Sequence, residues 1–408
     1  MKKLTLFLTV ILLWSCNSDD KQYETFNIAI PETMSKVEWR TAVEVQAPKP
    51  ILDVGKIYAY QDLIFINERF KGVHIFDNSD PLSPQAVSFI NIPGNEDISV
   101  KDDYLFADSA IDLLVFDISN VNTITEVERL QEVFTVYDYQ IPNDAAGADF
   151  SNFDRETQVI VGWSIEERRE EVSNSVDVFF PNDAGAFESG DVGVGGSLAR
   201  FQIVEDYLYT VGVNEMNVFD ISSLSQPNLV QTNYAGWEIE TMFHADGYLY
   251  LGGSNGMFIH SIENPAAPQF LSEFSHWQGC DPVVVDGDYA YLTLRGGNEC
   301  GQELSVLEVI DVSDKYYPTL VAQHMMDSPY GLGFKDNRLF VCDGASGLKV
   351  FDKTNPLDLE LLEIFDNVEG RDIIPLEDRL LMISANALYQ YEYDAENSIQ
   401  LLSTLILN

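Results

Sequence analysis

The sequence predicts an all-β chain, a seven-bladed β-propeller of four-stranded repeats about 41 residues long. Three observations predict it. A turn residue followed by an aromatic-rich strand recurs seven times: Asp62-Leu-Ile-Phe65, Asp103-Tyr-Leu-Phe106, Asp206-Tyr-Leu-Tyr209, Gly247-Tyr-Leu-Tyr250, Asp288-Tyr-Ala-Tyr291, Asn337-Arg-Leu-Phe340 and Asp378-Arg-Leu-Leu381, at spacings of 41, 103, 41, 41, 49 and 41 residues. An apolar run ending in Asp follows, as in Leu113-Leu-Val-Phe-Asp117, Asn217-Val-Phe-Asp220, Leu307-Glu-Val-Ile-Asp311 and Leu348-Lys-Val-Phe-Asp352. Val, Ile, Tyr and Phe dominate these runs, and none keeps helical spacing for more than two turns.

At the start of the chain, Lys2 and Lys3 precede an uncharged run, Leu4 to Leu13, that is too short to span a bilayer. The run closes with Leu13-Trp14-Ser15-Cys16, so residues 1–15 read as a signal peptide. This ending resembles the lipobox of bacterial lipoproteins, which implies cleavage before Cys16 and lipidation of its thiol. Ordinary cleavage beside a chance cysteine is the other reading. Asn17-Ser18-Asp19-Asp20 resembles the surface-export signal of Bacteroidetes-type lipoproteins, and reads equally well as a solvated tether. Residues 16–48 are expected to form a lipidated leash. The acyl chains alone would hold the protein at an outer membrane, facing the periplasm or, preferred, the cell surface.

Residues 49–408 are assigned to the propeller. In the unit containing Asp206 the four strands are expected at Arg200–Glu205, Tyr207–Gly212, Met216–Ile221 and Pro227–Thr232. One such sheet cannot cover both its faces; radial stacking does so and leaves only short edges. The turn after each third strand carries its own mechanism, as in Asp77-Asn-Ser-Asp-Pro81 and Asp220-Ile-Ser222: Asp and Ser bond nearby backbone groups and Pro pre-sets φ. The last unit supplies its own outer strand, Ile399 to Ile406, so closure by an N-terminal strand is not required, although Ala42 to Val45 is available for it. The Leu-Val-Ile-Val-Asp-like runs resemble the LVIVD-repeat family. The resemblance covers roughly Lys56 to Leu407 apart from one insert. It implies the propeller fold and assigns no catalytic residue.

The 103-residue spacing holds an insert over residues 135–195, with 13 Asp or Glu against 3 Arg. Thr157 to Trp163 and Val176 to Phe180 look extended. A hidden eighth blade is the alternative, without either repeat signature. With strands lettered A to D outward from the axis, D–A and B–C loops lie on one face and A–B and C–D loops on the other. The insert follows a D strand, so it belongs to the D–A face, either as a functional loop or as a decoration. Cys280 lies in a D–A turn and Cys300 in the B–C loop of the same unit, hence on that face too. A Cys280–Cys300 disulfide is expected in an oxidising compartment, closing a loop worth about 3 kcal/mol in the chain-entropy account. A metal site is the alternative, and no His lies near both. Cys342 reads as a small buried hydrophobe.

No nucleophile elbow, His-Glu-x-x-His pair, phosphate-cradling Gly loop or Asp-x-Asp-x-Asp-Gly calcium loop occurs; Gly193-Val-Gly195 lacks the helix a phosphate loop needs. Neither a metal nor a cofactor is assigned, and calcium lacks motif support. The repeat alignment yields one candidate site. The beginnings of the A strands surround the axis on the D–A face and carry Lys56, Glu96, Asp97, Arg200, Glu240, Asp281, Tyr330, Arg371 and Asp372. The ends of the B strands add Glu68, Asp108, Arg295 and Asp343. Such a ring suits a polar ligand or a cation, and paired carboxylates suit acid–base work. A solvated, salt-bridged mouth accounts for it as well.

The net charge of −43 excludes nucleic acid and anionic lipid surfaces as partners, and accounts for solubility. Two functions are carried forward. One is a cell-envelope binding or interaction propeller, expected monomeric, with a protein or glycan partner and no catalysis. The other is an enzyme acting on glycans or metabolites at the axial mouth.

Overall fold

The computed structural model describes residues 23–134, 141–142, 145–171, 192–276, 282–296, 304–394 and 398–407. The repeats form seven antiparallel sheets, each with four consecutive strands in the order A-B-C-D. Blade 3 has A Phe201–Val204, B Tyr207–Val211, C Glu215–Asp220 and D Asn228–Tyr234, within two residues of the expected limits. Blade 1 begins at Val54–Tyr60 and blade 7 ends at Ile399–Ile406. The protein is a seven-bladed β-propeller.

The repeat signature is explained by packing. Its fourth position is Phe65, Phe106, Tyr209, Tyr250, Tyr291, Phe340 or Leu381, each at most 1 % exposed. These side chains fill the interfaces between blades. Phe106, Leu113 and Val115 of blade 2, for example, share a cluster with Phe201, Ile203, Leu208 and Phe219 of blade 3. Burying a side chain of this size contributes roughly 1.5–3 kcal/mol. The Tyr209 hydroxyl keeps a partner, donating to the Pro265 carbonyl of the next blade at 2.8 Å. The turn after strand C closes as its chemistry requires: the Ser79, Ser119, Ser222 and Ser313 amides donate to the Asp two residues earlier, each at 2.9 Å. All seven C–D pairs carry a register shift, which bends the outer strand away from a flat edge.

Blade 7 meets blade 1 without a shared strand. Ile57, Ile64 and Phe76 pack with Ile374, Leu381 and Leu388, Asn78 and Gln390 exchange side-chain hydrogen bonds at 3.0 and 2.7 Å, and the Ile51 amide donates to the Leu407 carbonyl. Ala42 to Val45 therefore does not close the ring; Glu44–Gln46 instead pairs outside the D strand of blade 1.

The leash expected over residues 16–48 differs from the structure. A strand at Tyr23–Ser35 and a helix at Lys36–Thr41 precede Glu44–Gln46. The strand is satisfied by the insert: it pairs antiparallel with Gln158–Glu171 to make a separate two-stranded ribbon. This pairing extends the expected Thr157 to Trp163 strand, and no four-stranded eighth blade appears among the described residues. The helix, capped by Ser35, is fixed by Trp39, fully buried, whose Nε1 donates to the Pro93 carbonyl and Ser109 Oγ, both at 3.0 Å. Arg40 adds a two-pronged pair with buried Asp112 at 2.8 and 3.0 Å. Pro93 lies in a D–A loop and Ser109 at a B–C loop, so ribbon and helix stand on the D–A face, where the insert was expected. Cys16, Val176 to Phe180, Cys280, Asp281 and Cys300 lie outside the described residues. Cys342 is fully buried. No helix among the described residues is long and apolar enough to cross a membrane.

Candidate functional site at the propeller axis

At the starts of the A strands Asp97, Arg200, Glu240 and Asp372 are buried, while Lys56, Glu96, Tyr330 and Arg371 are half-buried. Exposures are 0 % for Asp372, 1 % for Glu240, 3 % for Asp97, 4 % for Arg200 and 6 % for Asp108. Blades 1, 2 and 3 are linked by charge. Lys56 reaches Asp97 at 3.2 Å, Arg200 Nη1 reaches Glu96 at 2.8 Å, and the Arg200 amide donates to Asp97. Asp97 also accepts from the Ile98 amide at 2.8 Å. Asp108, from the end of strand B, accepts from the Asn95 side chain at 2.7 Å and from the Glu96 and Asp97 amides at 2.9 Å. Burial pushes the Asp108 carboxyl up to about 6 despite those donors.

The axis itself is occupied by the returning end of the insert. Val192 bridges Lys101 and the Gly193 amide donates to Val100, both on the inner strand of blade 2. Val194–Gly195 then pairs with Ala59 and Tyr58, adding a short strand inside blade 1. The Gly196 amide donates to Ile57. Ser197 donates to Asp372 of blade 7 through its amide at 3.0 Å and its hydroxyl at 3.1 Å, and its Oγ accepts from the Leu332 amide of blade 6 at 2.8 Å. The chain then enters blade 3. One short segment thus bonds the inner strands of four blades. Its glycines are required by space: a Cβ on Gly193 would sit 2.1 Å from Tyr58 Cε1, and one on Gly196 would sit 1.8 Å from Asp372 Oδ2.

Asp372 is the most confined carboxylate of the ring. Ser197 and the Ile373 amide supply Oδ1, while Oδ2 has no hydrogen-bond partner among the described residues. Burial pushes its carboxyl up to about 7, against these donors and the pull of Lys56. Both raised carboxyls can change protonation near neutral pH, the property an acid–base pair needs.

Other expected residues serve their own loops. Tyr330 lies under the Arg295 guanidinium, 4.2 Å from the ring centre. Glu68 is drawn to Lys49 at 2.8 Å and His74 at 3.1 Å; burial would raise its carboxyl, and these partners with the Leu52 amide hold it below the usual range. Asp343 accepts from the Asp327 and Ser328 amides and from Lys349. Arg371 is half-buried, and its carbonyl accepts from the Gly331 amide. The sequence reading missed Ser197 and Trp39. A signal existed for the first: the run Gly193-Val-Gly-Gly-Ser197 stands immediately before the third repeat, where a chain must pass close to other backbones. Among the described residues no cluster of three His, Cys, Asp or Glu side chains is arranged to hold a metal ion.

Comparison with known proteins agrees with this architecture. The family model described as the LVIVD repeat matches residues 95–131, 195–234 and 280–325. Among solved structures, a protein from Lactobacillus plantarum is similar with a TM-score of 0.55 at 12% identity, over 87% of this chain and 96% of that one. The periplasmic gluconolactonase of Pseudomonas aeruginosa gives 0.53 at 12% identity, over 87% and 97%. The computationally designed Ika8 protein gives 0.51 at 11% identity, over 88% and 89%. At these identities the likeness is one of fold. No curated protein matches the chain in sequence.

Proposed function

We propose that this LVIVD-repeat propeller is a binding and interaction module of the cell envelope, tethered through Cys16 and presenting its D–A face to a protein or glycan. One observation carries the reading. The axial mouth, where propellers commonly admit a small substrate, is crossed by residues 192–199, which bond the inner strands of four blades, and Lys56 pairs with Asp97 and Arg200 with Glu96 beside it. What the D–A face offers to solvent is the ribbon and the loops around it, a broad surface on a rigid scaffold. The acidity of the chain favours a neutral or basic partner. A second reading, an enzyme at the mouth, draws on the raised carboxyls of Asp108 and Asp372 and requires the axial segment to move aside.

The test uses intact cells and a photo-crosslinking residue at either of two exposed positions. Ile165 is on the ribbon, and Tyr317 is in a C–D loop of the opposite face. Adducts to one defined partner are expected from Ile165 and not from Tyr317. Cys16→Ser should abolish them by releasing the chain from the membrane fraction. Equal labelling from both faces, or none from Ile165, would overturn the proposal.

A further inference from the structure

The turn between blades 3 and 4 holds a backbone that L-residues rarely adopt, and holds it firmly. Gly236 has φ 154° and Glu238 φ 49°. A side chain on Gly236 would meet Ile239 at 2.7 Å and Phe258 at 2.8 Å. The Ile239 amide donates to the Val213 carbonyl at 2.7 Å, the Glu238 amide to Asn214 Oδ1 at 3.1 Å, and the Ser254 amide to the Glu238 carbonyl at 3.1 Å. These bonds come from the B–C loops of the two blades the turn joins, and His260 Nε2 in strand C of blade 4 donates to the Ala235 carbonyl at 2.7 Å. What this over-determined turn presents is Trp237, 51 % exposed, with Tyr234, 66 % exposed, three residues before it. An indole has much to gain from burial, yet this one is held at the water interface, and strain persisting in a fixed loop points to function.

The surroundings define the ligand. Asn214, Ser254, Asn255 and Glu238 supply amide, hydroxyl and carboxylate groups at the same end of the blades; the Ser254 hydroxyl donates to Glu238. A protein interface of ordinary size needs roughly 800 Å² on each side and a core of apolar anchors. Two aromatic rings bordered by hydrogen-bonding groups instead match a sugar, whose C–H face stacks on an indole while its hydroxyls seek polar partners. The net charge of −43 rejects acidic polymers. We propose that Trp237 and Tyr234 form a stacking platform for a neutral glycan, with Asn214, Asn255 and Glu238 as its hydroxyl-binding edge. The inference rests on the D–A face being the binding face.

The test is electrophoresis of the full folded chain through gels containing laminarin, dextran or inulin, with polygalacturonate as the acidic control. At least one neutral glycan should retard the protein and polygalacturonate should not. Trp237→Ala should weaken the retarding interaction by about tenfold, Trp237→Phe should weaken it less, and neither should lower the thermal unfolding midpoint by more than a few degrees, because half of the side chain is already exposed. No retardation by the three neutral glycans, or equal retardation of wild type and Trp237→Ala, would overturn the inference. The crosslinks from Ile165 are read separately. Adducts that vanish in Trp237→Ala, without retardation by any glycan, would assign this surface to a protein, overturning the glycan platform while leaving the binding function in place.

Discussion

A carboxylate that must give up water without gaining a cation is the costliest kind of ring residue, and Asp372 is in that position. Its carboxyl lies at about 7 in the folded chain, raised by burial, against an ordinary value near 3.9. Between about pH 4 and pH 7 the unfolded chain releases a proton that the folded chain keeps. Stability conferred by this group is therefore lost as pH rises through that window, and the loss is complete above it. Asp372→Asn removes the ionisation and keeps an acceptor for Ser197. It should stabilise the protein by roughly 1–4 kcal/mol at pH 8 and by much less at pH 4, read from unfolding midpoints at the two pH values. An equal effect at both would show that folding does not raise the Asp372 carboxyl above its unfolded value. Sequence alignment of the repeats was enough to bring Asp97, Arg200, Glu240 and Asp372 to one ring, because a repeated fold puts equivalent positions at equivalent radii. It could not show that Asp372 is met by Ser197, since that contact depends on where an inserted segment passes. Nor could it separate Glu68 and Asp343, which end their strands in the same register and are claimed by Lys49 and Lys349.

Among the elements, the blades and the N-terminal arm are held by different kinds of information. A blade is a run of short hairpins, and each carries its alternation and turn residues within a few positions, so the limits of blade 3 were legible almost to the residue. Tyr23–Ser35 has its partner more than a hundred residues later, at Gln158–Glu171, and nothing local in either segment names the other. The arm therefore looked like a leash. The helix between them is what fastens the ribbon to blade 2, and Trp39 is its anchor. Trp39→Ala removes a fully buried indole and both its hydrogen bonds, a loss of about 3–5 kcal/mol at that site. Because ribbon and helix lie outside the seven blades, the damage should be local: faster proteolysis within residues 23–41 and faster amide exchange in the ribbon, with the inner strands of blade 2 protected as before. Unchanged ribbon exchange would mean that strand pairing alone holds it.

At the scale of the molecule, seven sheets close a ring through side-chain packing, and an insert that leaves after blade 2 returns through the middle before blade 3 begins. The ribbon's second strand and the axial segment belong to that one excursion, the first ribbon strand and the helix belong to the N-terminal arm, and all of them lie at or below the D–A face. The repeat count and the face were readable in the spacings. The filled axis was not, because spacing reports the length of an insert and not its path. The function argued above depends on that path: a closed mouth leaves the outer face as the working surface, and an open one would return the acid–base ring to solvent. Amide hydrogen exchange followed by mass spectrometry decides between them. The amides of Gly193, Gly196 and Ser197, all hydrogen-bonded to inner strands or to Asp372, should be protected as strongly as those of Ile57 and Val100. Exchange of these three at the rate of an exposed loop would contradict the closed axis.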